Sequence, residues 1–199
     1  MTKFIRFAAL LGLFVILSPV AQATNLVVNP GFETGDLTGW TLMDGSGLTF
    51  VGDATTLPPL VAHTGTYFTT FAASVPESIE QDIPTTPGTE YTFSFWLMNE
   101  TGLPSGVPPT NGFQALASWN GTAVLELVNS PAFGYTLFTF NVTATSAIST
   151  IKFSALNENF GWGLDDVSLV AVTAVPEPTT VALAGLGIVF GVARGRRRA

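Results

Sequence analysis

Alternation is the feature that most constrains this chain. From Tyr91 onward, Tyr91, Phe93, Phe95 and Leu97 alternate with Thr92, Ser94, Trp96 and Met98. A strand sends successive side chains to opposite faces, so such a run has one oily face and one mixed face. The pattern recurs where Phe138, Phe140 and Val142 oppose Thr139 and Asn141, and where Ile151, Phe153 and Ala155 oppose Thr150, Lys152 and Ser154. No stretch carries a convincing 3.6-residue amphipathic period. Strands are expected over 25–28, 48–51, 67–72, 78–83, 91–99, 113–119, 123–128, 136–142, 149–155 and 163–171, punctuated by Gly, Pro, Asn and Asp. Asn120-Gly121 is a hairpin-turn signal. Residues 101–110 form the longest irregular loop, because Pro104, Pro108 and Pro109 exclude a strand. Many short strands in one domain lead to an all-β fold, a two-sheet antiparallel β-sandwich with the Phe-rich faces packed between the sheets.

The two ends do not belong to that domain. Lys3 and Arg6 precede an apolar run, Phe7 to Leu17, and Ala21-Gln22-Ala23 offers a small-x-small cleavage site. These are the parts of a secretory signal, residues 1–23, cut after Ala23 so that the mature chain starts at Thr24. At the other end, residues 175–199, Pro176-Glu177-Pro178 precedes an apolar segment closed by Arg194, Arg196, Arg197 and Arg198. Thr179 to Gly195 would span roughly 25 Å as a helix at ~1.5 Å per residue, and arginines at its end can snorkel to the phosphates. The positive-inside rule keeps those arginines cytoplasmic, so the body of the protein lies across the inner membrane. The arrangement resembles the PEP-CTERM sorting signal. The resemblance implies recognition by an exosortase, a membrane-embedded protease thought to cut near the Pro-Glu-Pro. It also implies a Gram-negative type of bacterium that makes exopolysaccharide.

The body, 24–174, has about 150 residues, the usual size of one domain. It holds thirteen acidic residues against one basic residue, Lys152, a net charge of −12 with His63 neutral. Such a surface repels nucleic acid and anionic lipid and suits neutral sugars or divalent cations. There is no cysteine, so the fold rests on its core or on a metal. One histidine and no arginine in the body leave little for catalysis. No Gly-x-Ser-x-Gly elbow exists for a Ser-His-Asp triad, and a single His without Cys argues against zinc. Asp165 and Asp166, adjacent on a strand, are expected to point to opposite faces and so cannot flank one glycosidic bond.

The order NLVVNPGFETGDLTGW at Asn25, HTGTYF at His63, TEYTFSFWL, SWNG and GWGLDDVSLV at Gly161 resembles the galactose-binding-like jelly roll of carbohydrate-binding modules. The resemblance implies first and last strands lying close together and a structural Ca²⁺ held by Glu33, Asp165 and Asp166. Independently, Val167 and Leu169 read as inward-facing, so Asp165, two residues back, should be inward too, and an inward carboxylate is costly unless paired. Carboxylates with loop carbonyls near Gly35 or His63–Gly65 could supply the six to eight oxygens calcium takes. The alternative is that Glu33 and Asp166 are solvated turn residues and Asp165 caps a backbone amide. Trp96, on the face away from the Phe stripe, and Trp119, before a tight turn, are candidate sugar platforms; Trp40 and Trp162 read as core.

The expectation is an exported, non-enzymatic sandwich, delivered by Sec, tethered by its tail to the inner membrane, then sorted to the envelope or the extracellular biofilm matrix, where it associates with exopolysaccharide. The alternatives are a structural matrix protein without a sugar site and a glycan-active enzyme.

Overall fold

The computed structural model describes residues 24–43, 45, 48–57, 60–72, 75–99, 114–156 and 161–172. Among them are ten strands and no helix: β1 (Thr41–Met43), β2 (Thr49–Asp53), β3 (Tyr67–Phe71), β4 (Glu77–Pro84), β5 (Glu90–Asn99), β6 (Gln114–Trp119), β7 (Thr122–Val128), β8 (Phe133–Thr143), β9 (Ile148–Leu156) and β10 (Trp162–Ala171). The leader with Ala21 and Ala23, the irregular loop 101–110 and the tail with Pro176, Glu177, Pro178, Arg194, Arg196, Arg197 and Arg198 lie outside the described residues. Within those residues no helix is long and apolar enough to cross a membrane.

The strands form two antiparallel sheets of five. The first runs β1-β4-β9-β6-β7 and the second β2-β3-β10-β5-β8, a jelly-roll type of sandwich. The Phe-rich faces meet between them as the alternation requires. Phe93, Phe95, Ile151 and Phe153 are buried, and the rings of Phe95 and Phe153 meet edge to face at 4.8 Å. Trp40 and Trp162 are core residues, as expected. The β6–β7 hairpin turns through Asn120 and Gly121 with positive φ at both, 49° and 78°, the two-residue turn that Asn-Gly favours.

Nine of the ten expected strands form. The tenth, 25–28, does not become a strand, yet it lies against β10 as the family resemblance implied. Leu26 N–H donates to Leu169 O at 2.9 Å, and the Asn25 side chain bridges Val167 O and Leu169 N–H. β1 was not expected, because three edge residues carry no period.

β10 changes phase in its middle. Trp162 and Leu164 face the inter-sheet core, and so do Val167 and Leu169. An even and an odd set can share a face only if one extra residue intervenes. The register against β5 shows it: Asp165 pairs with Trp96 but Ser168 pairs with Ser94. Asp166, at φ 47°, forms this β-bulge. Two expectations are corrected. Asp165 is fully buried, but on the outer face with Trp96 rather than between the sheets. Asp165 and Asp166 do not point to opposite faces, because the bulge turns both toward one loop.

Candidate functional site

That loop is the segment from Leu60 to Thr66, which lies over the outer face of the second sheet. Asp165 Oδ2 accepts the backbone N–H groups of His63 at 2.8 Å and Thr64 at 3.2 Å, and its Oδ1 accepts that of Asp166 at 2.7 Å. Asp166 Oδ2 lies 2.6 Å from His63 Nδ1, and its Oδ1 accepts from the Thr64 hydroxyl at 2.7 Å. An ionised carboxylate only accepts, so against one the contact requires the proton on Nδ1. Glu33 closes the far side of the loop. Its Oε1 accepts from the amides of Thr66 and Tyr67, both at 3.0 Å. Gly65 sits at φ +67°, and a Cβ there would collide with the Glu33 carboxylate, so the turn requires glycine.

The three carboxylates are neighbours. A Cβ added to Gly31 would stand 3.4 Å from Oδ1 of both Asp165 and Asp166, and 3.7 Å from Glu33 Cγ. Burial, and next the charge of Asp166, push the Asp165 carboxyl up to about 6. Among the described residues no lysine or arginine relieves it: Lys152 lies on the other sheet, 3.6 Å from Glu80. Each carboxylate is instead engaged by N–H or O–H donors, and amides rather than carbonyls of the His63–Thr64 turn face Asp165. Among the described residues no group of three or more His, Cys, Asp or Glu stands ready to hold a metal ion. Being fully buried, Asp165 has no access to a glycosidic bond.

The candidate platforms divide. Trp119 is buried in the core beside Tyr91, and its indole N–H donates to Thr143 O at 3.2 Å, so its ring offers no face to solvent. Trp96 stays half-buried on the outer face, with the His63 ring stacked on it at 3.8 Å and 18°.

Beyond His63 and Tyr135 an open groove of about 440 Å³ follows the same face. Leu60 and Val61, Met98 and Asn99 at the end of β5, and Gly134 and Tyr135 in β8 line it. That volume falls in the ~300–1,000 Å³ range of small-ligand sites. Its described lining carries no charged side chain, although the body is strongly acidic. Leu60, Met98 and the fully buried Phe68 form a small apolar cluster beneath it, separate from the main core. Asn99 is fully buried, and its amide donates to Ser130 O and Pro131 O. Sequence reasoning missed this groove. Its walls come from three separate segments, and none carries a motif; the apolar run around Leu60 beside a Pro pair was the only signal.

Residues 174–198 match the PEP-CTERM protein-sorting motif, which marks a chain for exosortase-dependent export. A search of the curated proteins finds no match. Solved structures are similar in fold. TmCBM61 in complex with β-1,4-galactotriose is 20% identical over 75% of this chain and 99% of its own, with a TM-score of 0.56. The K3 cleaved adhesin domain of Lys-gingipain from Porphyromonas gingivalis W83 is 17% identical over 75% and 99%, at 0.54. A family 16 carbohydrate-binding module is 18% identical over 73% and 99%, at 0.53. At these identities the likeness is one of fold.

Proposed function

We propose that this chain is an exported, non-enzymatic carbohydrate-binding protein, tethered at the inner membrane by its PEP-CTERM tail and then processed by an exosortase. It reaches the cell envelope or the extracellular matrix and associates there with a neutral exopolysaccharide. The observation that carries the reading is the uncharged groove over the second sheet, on a fold shared with a module solved with a galactotriose. Tyr135 supplies an aromatic wall for the apolar side of a sugar ring, and the net negative charge of the body disfavours anionic glycans. Purified domain on a panel of neutral and anionic polysaccharides should retain neutral ones only, and Tyr135→Ala should weaken retention. No retention of any polysaccharide would leave the second reading, a matrix protein without a sugar site. That reading is favoured by the covered ring of Trp96 and the burial of Trp119.

Glu33, Asp165 and Asp166 are proposed as ligands of a structural Ca²⁺. The support is chemical: hard carboxylate oxygens gather around Gly31, next to a buried acid that pairs with no lysine or arginine among the described residues. Glu33 is exposed and its carboxylate can turn from the loop amides toward an ion. Chelation with EDTA should then lower the melting temperature. An unchanged melt, with no metal by elemental analysis, rejects calcium and leaves the carboxylates as a loop clasp.

A further inference from the structure

The direction of β10 fixes which end of the sandwich faces the membrane while the tail is attached. β10 ends at Ala171, Val172 N–H still donates to Glu90 O at 2.9 Å, and only residues 173–175 separate Val172 from Pro176. Three extended residues reach about 10 Å. The N-terminal segment runs antiparallel to β10, with Leu26 beside Leu169 and Pro30 beside Val167, so Thr24 leaves at the same end. Both apolar handles therefore pull on one end of the domain.

The loops at that end carry no charge. They are the β4–β5 connection (residues 85–89), the Asn120-Gly121 turn and the β8–β9 connection (residues 144–147). The two longer connections are tied together: Thr85 N–H donates to Ala147 O, Gly88 N–H to Ala144 O and Ala144 N–H to Thr89 O, at 2.8–3.0 Å. Two exposed acids flank these loops, Glu90, where β5 begins, and Asp82, two residues short of the end of β4. Ile148 and Val172 are 58% and 45% exposed there. An acidic body is repelled by anionic headgroups, so an end whose loops carry no charge approaches them at lower cost.

We propose that the tethered protein sets this end, the loops 85–89, 120–121 and 144–147, against the headgroups of the bilayer. The groove then stands at the opposite end. Asn99 and Trp162 pair at the start of β10, nine residues from Ala171, which is about 30 Å at ~3.3 Å per residue. The tethered protein thus holds its groove outward, open to glycan before any cut is made. The inference rests on the reading of the tail as a membrane handle, not on sugar binding.

The chain has no cysteine, so single cysteines report cleanly. Full chain carrying a fluorophore on Ala147→Cys or on Ala132→Cys, both exposed, is reconstituted in vesicles of phosphatidylglycerol and phosphatidylethanolamine with headgroup spin-labelled lipid. Quenching should be several-fold stronger at Ala147→Cys. Equal or reversed quenching, in protein that floats with the vesicles, overturns the orientation. Failure to float overturns the membrane handle and the orientation with it. An unchanged melting temperature certifies each variant, and Thr86→Cys replaces Ala147→Cys if that one is unstable.

Discussion

The two faces of the second sheet are covered in different ways. The inner face is covered by the other sheet through Phe93, Phe95, Leu164, Val167 and Leu169, a contact that needs only apolar shape. The outer face, around Asp165, is covered by the loop from Leu60 to Thr66, a contact held by directed hydrogen bonds that three carboxylates accept. Apolar cover tolerates small shifts, whereas carboxylate cover depends on one register. The difference teaches that a single strand can build a core by pattern and a clasp by exception to the pattern, with the bulge at Asp166 as the exception.

The largest effect should come from the inner face. Phe95→Ala removes a ring that meets Phe93, Phe138, Phe140 and Phe153, and should cost about 3–5 kcal/mol in denaturant unfolding. A cost below that of the outer-face variant would invert the comparison. Next comes Asp165→Ala, which strips the acceptor from three backbone amides and should cost roughly 1–3 kcal/mol. It should also raise hydrogen exchange at His63 and Thr64 while leaving the β5 amides protected. Uniform loss of protection would mean the clasp and the core are one unit.

The smallest effect is a pH slope. In the folded protein Asp165 titrates at about 6 against an ordinary 3.8, so the folded state holds the proton more tightly. Its contribution to stability is complete below 3.8 and is lost as pH climbs through about 6. Asp53, held down to about 2 by hydrogen bonds from Thr55 and Thr56, acts in the opposite sense but below that window. With EDTA present, the melting temperature should fall between pH 4 and pH 6, and Asp165→Asn should flatten that slope. A slope that survives in Asp165→Asn assigns it elsewhere.

This contrast also explains what could be read from the residues alone. The Phe stripes of β5, β8 and β9 are visible because burial between two sheets imposes period two, and nine strands followed from it. β1 is too short and too exposed for a period to show. The clasp was half legible. Glu33, Asp165 and Asp166 were singled out, but the bulge hid which face the two aspartates share. Its trace was present: Trp162 and Leu164 are out of step with Val167 and Leu169, and Asp tolerates a positive φ. The groove was not legible, because its walls come from residues 60–61, 98–99 and 132–135, which no local pattern links.

One consequence follows from the place of β10 in its sheet. Without β10, the second sheet is only two unconnected ribbons, β2 with β3 and β5 with β8. It is also the last of the described strands in chain order, and it anchors both the first residues of the body and the loop at His63. Until that strand is in place the first sheet can pair fully, but its Phe-rich face has no complete second layer to close against. Closure of the sandwich is therefore written late into the order of its strands.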